Sequence, residues 1–255
     1  MTHLMLYNAA QSTCSQRVRF VLHAKGLVFE EQRLDLFAGD QLQPDYLKLN
    51  PNGLVPTLVH DGVPVIESSV IMEYLEEVFP DGRTFVPGGP VERAGMRALI
   101  RFIDEMPTPA VRVPSYNLAF LPHFQSMSEE AFLALADAKP LRREFLLKMG
   151  RSGFPEADMN EALERLRRAV VRMDDAIRQS GGPWLLGARI TLADVAIMPV
   201  IVRMNDIRLA HLWSDLPAIA RWLEAIQADP AFRPTYYQGS LLTEKYPHLR
   251  AHLTR

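Results

Sequence analysis

Two short motifs in the first seventy residues carry polar groups whose spacing suits the binding of a small anionic peptide. Val55-Pro56 precedes a short apolar run, and Glu67-Ser68 follows eleven residues after that proline. Proline at a strand start removes a ladder donor, and an X-Pro bond there is a candidate for the cis form, which turns the Val55 N–H and C=O outward. A peptide binds such groups as an added strand. The Ser68 hydroxyl and the first N–H groups of the helix that it opens attract a carboxylate.

Hydroxyl and thiol groups lie together near the predicted start of the first helix. Residues 12–15 read Ser-Thr-Cys-Ser, and both serines also suit the capping of that helix. Cys14 is the single cysteine, so no internal disulfide forms, and the missing Cys-x-x-Cys pattern disfavours disulfide reduction. His123 has no partner at ligand spacing and the seven histidines form no cluster, so we predict no metal site.

The first eighty residues alternate strand and helix signals. We expect strands over residues 4–7, 28–34, 57–59 and 63–66, with a tight turn at Asp61-Gly62 between the last two. Helical spacing of apolar residues predicts helices over 17–25 and 70–78 and a short one ending at residues 46–49. This order, βαβ followed by ββα, indicates a thioredoxin-like arrangement.

Everything after a Pro/Gly-rich stretch reads as helix. Residues 83–90 predict a linker between a domain over 1–82 and an all-helical domain over 91–255. We expect a long helix around 96–103, an irregular segment over 114–155, and helices over 160–177 and 213–226. Thr191 and Asp194 form a predicted capping box with a structural role.

Composition excludes several classes of protein. The chain has 255 residues and a formal net charge of −2, which argues against a nucleic-acid surface or a polybasic membrane patch. Its longest apolar run, residues 195–202, is too short to span a bilayer. No basic segment followed by a long apolar run opens the chain, so we expect a soluble, cytoplasmic protein.

Taken in order, the serine motif, Val55-Pro56 and Glu67-Ser68 resemble the glutathione-binding half of soluble glutathione transferases, and the resemblance runs over nearly the whole chain. It implies an α/β thioredoxin-like N-terminal domain followed by an all-α domain, glutathione as co-substrate, and a homodimer. The implied interface uses apolar residues of the long helix and of the third helix of the first domain. Residues 126–130 and 151–155 are similar to bacterial lignin β-etherase transferases, whereas residues 12–19 are similar to the zeta class.

The resemblance also assigns roles to individual residues. A free thiol titrates at about 8.5, and a hydroxyl donor or a helix N-terminus keeps it ionised at lower pH. The zeta-type pattern places this hydroxyl at Ser12, the etherase pattern places it nearer Ser15, and Tyr7 is a rival donor. The implied glutathione-binding residues are Val55, Pro56, Glu67 and Ser68, with Gln41 at the glycyl end and Asp104 reaching the γ-glutamyl amine across the dimer.

A hydrophobic aromatic electrophile is the implied second substrate. Its pocket is predicted from Tyr116, Asn117, Phe120 and Phe124, which equally suit core packing. Cleavage of a β-aryl ether is the preferred reaction. The alternatives are a zeta-type isomerase, with Arg17 and Arg112 as candidate partners for substrate carboxylates, and a non-catalytic ligand-binding protein of the same fold.

Overall fold

The computed structural model describes residues 2–249, so Met1 and the last six residues of the predicted helical domain lie outside it. Within it, one sheet has the strand order β2-β1-β3-β4. Strands β1 and β2 are parallel, and the β1–β3 and β3–β4 pairs are antiparallel. The strands are β1 Leu4–Asn8, β2 Glu30–Arg33, β3 Thr57–His60 and β4 Val63–Ile66. The predicted thioredoxin-like order is confirmed.

The conformation of the turn between β3 and β4 explains why the sequence predicts this hairpin. Asp61 has φ +49° and Gly62 has φ +86°. A two-residue loop with both residues at positive φ matches the right-handed twist of the flanking strands, and Asp-Gly is among the pairs that adopt it most readily. The sequence therefore sets both the loop and the register of these strands.

Helices pack on the sheet and then make up the rest of the described chain. The first four are α1 Thr13–Ala24, α2 Pro44–Leu49, α3 Ser68–Val78 and α4 Pro90–Glu105. The central segment contains α5 Pro107–Ala110, α6 Arg112–Ser115, a π-helical turn Tyr116–Phe120, α7 Leu121–Gln125, α8 Glu129–Asp137 and α9 Arg143–Met149. The remainder is α10 Glu156–Ser180, α11 Leu192–Asp206, α12 Pro217–Gln227, α13 Phe232–Thr235 and α14 Leu242–Lys245, and 3-10 turns cover Asp40–Leu42, Pro140–Arg142 and Ala210–Trp213.

Several helix starts differ from the sequence-based expectation, among them α4, which begins at Pro90 and not near residue 96, and α10, which begins at Glu156 and not at residue 160. Helix α1 begins at Thr13 and not at residue 17, because Ser12 caps it. Helix α12 begins at Pro217, after a separate 3-10 turn, because proline suits the first helical position. Helix α3 begins at Ser68 and not at residue 70; Glu67 occupies its N-cap position, and no side chain makes a capping hydrogen bond there.

The stretch between α3 and α4 has neither helix nor strand and is anchored by Glu76. One carboxylate oxygen pairs with Lys25 at 3.1 Å, and both side chains are buried. The other accepts hydrogen bonds from the Thr84 hydroxyl (2.7 Å) and the Phe85 N–H (3.1 Å). The predicted linker, residues 83–90, covers most of this stretch, which spans residues 79–89, and the division into domains stays a prediction.

Two groups of buried apolar side chains form the interior. The larger one joins the sheet and α1 to the helices of the second half, through residues such as Leu6, Phe20, Ile197 and Trp222. A second cluster belongs to the central segment and consists of Phe124, Phe132, Ala136, Leu146, Met149 and Phe154. We call it the central aromatic cluster. None of the helices within residues 2–249 combines the length and apolar composition that crossing a bilayer requires.

Candidate functional site

Strand register brings the three predicted motifs to one edge of the sheet. Tyr7, next to the last residue of β1, lies opposite Thr57, the first residue of β3. Thr57 in turn lies opposite Ile66, the last residue of β4. The loop after β1, the corner before β3 and the helix start after β4 therefore leave the sheet at the same end. We call this end the sheet-edge site.

Ser12 presents a free hydroxyl hydrogen at the sheet-edge site. Its Oγ accepts a hydrogen bond from the Ser15 N–H at 3.2 Å, which caps α1. Because that bond uses only an oxygen lone pair, the hydroxyl hydrogen is available to donate. No acceptor within residues 2–249 takes it. The half-buried Ser12 thus combines a donor with the positive end of a 12-residue helix.

Two buried arginines hold the loop that precedes the capping serine. Arg19 donates to the carbonyls of Ala9 (3.3 Å) and Ala10 (2.9 Å), and Arg203 donates to the carbonyl of Gln11. Three consecutive carbonyls are therefore fixed from α1 and from α11. Sequence reasoning did not identify these contacts. The Arg203 partner lies 192 positions away, so the contact leaves no local signature.

Ser15 is differently placed. It is fully buried, and its Oγ accepts a hydrogen bond from the Ala9 N–H at 3.3 Å. Because Ser15 is not exposed, a ligand at the sheet-edge site does not reach its hydroxyl, so the geometry favours Ser12 of the two predicted serines. That either serine activates a thiol stays a prediction.

Tyr7 and Cys14 occupy different sides of this region. Tyr7 alternates along β1 with the buried Leu6 and Asn8, and its ring packs on Tyr46 of α2 with centroids 5.8 Å apart. It therefore lies on the α2 face of the sheet, away from the start of α1. Cys14 is half-buried in the first turn of α1 and forms no disulfide.

The corner before β3 offers main-chain groups to a ligand. The Val55–Pro56 bond is cis, as predicted. Within residues 2–249 the Val55 N–H and C=O have no hydrogen-bond partner. The neighbouring Leu54 carbonyl is held from inside by the Tyr46 hydroxyl (2.5 Å) and the Asn50 amide (2.9 Å). The protein thus holds the Leu54 carbonyl, while the Val55 main-chain groups are available to a ligand.

The start of α3 supplies a set of unpaired N–H donors beside that corner. The first intrahelical bond runs from Ile71 N–H to the Glu67 carbonyl at 2.8 Å, so the N–H groups of Ser68, Ser69 and Val70 have no intrahelical acceptor. Glu67 has φ +70°, which is uncommon for a residue with a side chain. Such a helix start attracts an anion.

Arg17 joins the two halves of the molecule behind this helix start. Its guanidinium donates to the Ser68 hydroxyl (3.4 Å), the Thr108 hydroxyl (2.7 Å) and the Ala196 carbonyl (2.8 Å), and it pairs with Asp104 at 2.5 Å. Arg17 is 1% exposed, which corrects the expectation of a substrate-facing or solvated side chain. Asp104 is bound within its own chain, and its reach across a dimer stays a prediction.

Gln41 lies in the 3-10 turn after β2. Its side chain is 3% exposed, and its amide nitrogen donates to the Leu36 carbonyl at 3.3 Å. Its side-chain oxygen is buried and has no hydrogen-bond partner within the described residues. A contact between Gln41 and the glycyl end of glutathione stays a prediction.

The predicted pocket residues fall into two groups. Tyr116 and Phe120 are half-buried, and Phe120 also contacts Phe37 of the first half and Tyr246 of the tail. Phe124 is 2% exposed inside the central aromatic cluster. Substrate contact by these three side chains remains a prediction, and burial of Phe124 weighs against it.

Asn117, the fourth predicted pocket residue, joins the two ends of the central segment, because its partner Phe154 lies just before α10. Its amide donates to the Phe154 carbonyl (3.0 Å), and its oxygen accepts the Phe154 N–H (2.7 Å). Gly153, just before, has φ +92°, and a Cβ there would meet the Asn117 oxygen at 2.9 Å. Asn117 is therefore engaged by the protein itself, and substrate contact through it stays a prediction.

Sequence reasoning also missed that the tail covers the loop of Ser12. Gln11 donates to the Gly239 carbonyl (2.5 Å), and Gln16 donates to the Ser240 carbonyl (3.2 Å). His248 contacts the Leu118 carbonyl at 3.0 Å. Residues 239–248 thus contact both the loop of Ser12 and the central segment. These residues have no clear hydrophobic periodicity, so the sequence does not predict their contacts with the loop of Ser12.

Comparisons with known proteins agree with this geometry. The sequence matches the family models for the glutathione S-transferase N-terminal domain over residues 11–78 and for its C-terminal domain over residues 156–225. Protein LigF of a Sphingobium species is 30% identical over 91% of this chain and 93% of its own. The crystal structure of β-etherase LigF has a TM-score of 0.82, at 28% identity, over 91% of this chain and 98% of that one.

A second group of relatives has a different described activity. Maleylacetoacetate isomerase of Pseudomonas aeruginosa is 29% identical over 91% of this chain and 95% of its own. Both groups cover almost the whole described fold. The chain therefore belongs to the glutathione S-transferase family and is a glutathione transferase, with glutathione as its co-substrate.

Proposed function

We propose that the Ser12 hydroxyl donates a hydrogen bond to the glutathione thiolate and so keeps it ionised near neutral pH. The observation that carries this is the free hydroxyl hydrogen of Ser12 at the sheet-edge site. There the unpaired Val55 main chain suits the cysteinyl backbone of glutathione, and the start of α3 suits its γ-glutamyl carboxylate. Pro56 and Glu67 set the backbone of these two elements, and Ser68 contributes its N–H.

Variants at matched helix caps test this role. Ser12→Ala removes a cap bond worth about 1 kcal/mol together with the donor to sulfur. Ser128 caps α8 in the same way, accepting from the Ala131 N–H at 3.1 Å. We expect Ser12→Ala to lower kcat/KM by about ten-fold or more while Ser128→Ala leaves it unchanged. Equal activities in the two variants would exclude the role.

We propose β-aryl ether cleavage as the reaction. The thiolate attacks the carbon that bears the aryloxy group, a C–S bond forms, the C–O bond breaks, and a phenolate leaves. Support comes from the similarity to LigF over nearly the full length and from the aromatic side chains of the central segment. The test is incubation with glutathione and a panel of aryl ethers. Phenol and glutathione thioether should appear in equal amounts; no phenol release from any member would contradict the proposal.

Glutathione-dependent isomerisation is the second candidate, supported by the similarity to maleylacetoacetate isomerase. In that reaction the thiolate adds to a conjugated acid and is expelled again, so the product has the mass of the substrate and glutathione is not consumed. Mass spectrometry of a conjugated cis-diacid incubated with enzyme and catalytic glutathione separates this outcome from thioether formation. A lasting thioether excludes isomerisation.

We propose that the protein is a homodimer. Large exposed apolar side chains lie on β4, α3 and the start of α4, where Val63, Val70 and Val91 are 64%, 53% and 79% exposed. The Arg97–Glu73 ion pair (2.7 Å) holds α4 against α3, so this surface draws on both halves. Sedimentation at micromolar concentration should give the mass of two chains. Val70→Asp should shift the equilibrium toward monomer, and a monomeric parent protein would refute the proposal.

A further inference from the structure

Two arginines of the central segment have no counter-charge among the residues that the structure describes. The half-buried Arg112 side chain makes no hydrogen bond or ion pair with any residue within 2–249. Arg142, at the end of the turn Pro140–Arg142, donates within the described part of the chain only to the carbonyl of its neighbour Leu141, at 3.2 Å. A guanidinium carries five N–H donors and a permanent charge, so its confinement without an acceptor is costly. We call these two residues the arginine pair.

Both arginines lie close to Tyr116. Arg112 is four residues before Tyr116 on the same helical run. Arg142 is three residues before Phe145, whose ring packs against that of Tyr116 with centroids 4.9 Å apart. The electrostatics agree with this arrangement: burial, and then the positive charge of Arg142, lowers the pKa of Arg112, and both arginine charges oppose the rise that burial causes in the pKa of Tyr116.

Helical spacing fixes the side from which Arg112 acts. Arg112, Ser115 and Tyr116 are related by i, i+3 and i+4 and share one face. Ser115 accepts from Arg203 at 3.3 Å, and Arg203 also holds the carbonyl before Ser12. This face of α6 is therefore tied to the loop that presents the Ser12 hydroxyl. Arg142 joins it from a segment that lies between the two parts matched by the family models.

The groups proposed for the carboxylates of glutathione do not include the arginine pair: they are the start of α3 and, at the glycyl end, Gln41. The two arginines instead belong to the central segment, on α6 and in the turn Pro140–Arg142, near the half-buried aromatic side chains. Plain hydration of two like charges is the competing explanation, and it predicts no preference among electrophiles.

We propose that Arg112 and Arg142 bind a carboxylate carried by the electrophile, so that the preferred second substrate is an aromatic acid. This inference rests on the proposed function, because it places the electrophile in the cleft next to Ser12. A guanidinium matches the planar geometry of a carboxylate through two parallel hydrogen bonds. The carboxylate is a spectator in the reaction, and its binding orients the reacting carbon toward the thiolate.

A matched pair of electrophiles isolates the charge. A chloro-dinitrobenzoate and its methyl ester share the reacting ring carbon: the thiolate forms a C–S bond, and the C–Cl bond breaks with loss of chloride. We measure kcat/KM for each and divide by the rate constant of the uncatalysed reaction with glutathione. The acid should exceed the ester by about ten-fold or more in the parent enzyme, and Arg112→Gln should bring the ratio to about one. Arg101→Gln, an exposed ion-paired arginine on α4, should leave the ratio unchanged.

Other outcomes overturn the inference in distinguishable ways. A parent enzyme that does not prefer the acid refutes it, and so does an unchanged ratio in Arg112→Gln. A weaker glutathione affinity in Arg112→Gln with an unchanged ratio reassigns the arginine to glutathione. If neither compound reacts, the enzyme does not act on aryl chlorides, the aryl ether panel alone decides the proposed function, and calorimetry with an unreactive nitrobenzoate and its ester tests the site: the acid should bind and the ester should not. If Arg112→Gln does not fold, Arg142→Gln carries the same test.

Discussion

The sheet-edge site and the central segment present their chemistry through different parts of the chain. At the sheet edge, the Val55 main chain, the start of α3 and the capped start of α1 supply the polar groups. In residues 112–155, side chains do so: Asn117 closes on Phe154, aromatic rings pack together, and the arginine pair has no counter-charge among residues 2–249. A site made of backbone is set by local turn and cap signals, whereas a site made of side chains depends on long-range packing. The first is therefore suited to a constant co-substrate and the second to a variable one.

The largest expected effect falls on the connection between the two regions. Glu76→Ala leaves the buried Lys25 without its counter-charge, with the Arg83 carbonyl (3.0 Å) as its remaining partner, and releases the Thr84 and Phe85 donors. We expect the free energy of unfolding to fall by about 3–5 kcal/mol in urea titrations. Glu105→Ala, which removes an exposed pair with Arg101, should cost no more than about 1 kcal/mol. Similar losses in both variants would show that the connection is not anchored through Glu76.

A substitution inside the central segment sharpens the comparison. Asn117→Ala removes two hydrogen bonds to the Phe154 main chain, and we expect a loss of about 1–3 kcal/mol. Because the sheet-edge site is built separately, the affinity for glutathione should stay within about two-fold while KM for the electrophile rises. Asn205→Ala, at an exposed position on α11, is the control. A parallel loss of glutathione affinity would show that the two regions are one site.

Arg203 tests whether the loop of Ser12 depends on the helical half. Arg203→Gln removes the donor that holds the Gln11 carbonyl, so Ser12 is less firmly placed. We expect kcat/KM to fall by about ten-fold, with the apparent pKa of the pH–rate profile raised and partly restored in Arg203→Lys. The exposed Arg221→Gln should match the parent. A fall in stability with an unmoved pH profile would limit Arg203 to a structural role.

The smallest expected effect is a dependence of stability on pH. Burial lowers the pKa of His23 below its ordinary value of 6.5, and the charge of Arg19 lowers it further. Burial and then the charge of Lys139 lower the pKa of His123 in the same way. Between the folded pKa and 6.5 the unfolded chain binds more protons. The two neutral histidines therefore make their whole contribution to the free energy of unfolding above pH 6.5, and this contribution is lost as the pH drops from 6.5 through the folded-state pKa values. Urea titrations at about pH 7.5 and about pH 5.5 should show this, less steeply in His123→Gln.

The features that the sequence predicts are those formed by adjacent residues, and the features that it does not predict depend on contacts between distant residues. Asp61-Gly62, Val55-Pro56 and the capping box of Thr191 and Asp194 carry their meaning in two to four adjacent residues, and the structure confirms each of them. The choice between Ser12 and Ser15 required knowing that the Ala9 N–H occupies the second hydroxyl. The roles of Arg17, Arg203 and Asn117 depend on partners 37 to 192 positions away. No local pattern records such contacts.

The central claim is tested most directly by titrating the thiol of bound glutathione. Thiolate absorbance in the ultraviolet, followed against pH with enzyme in excess over glutathione, gives the pKa of the bound thiol. In the parent enzyme and in Ser128→Ala it should lie well below the free value of about 8.5, and in Ser12→Ala it should return toward that value. A bound thiol that titrates at the same low pH in Ser12→Ala would contradict the account.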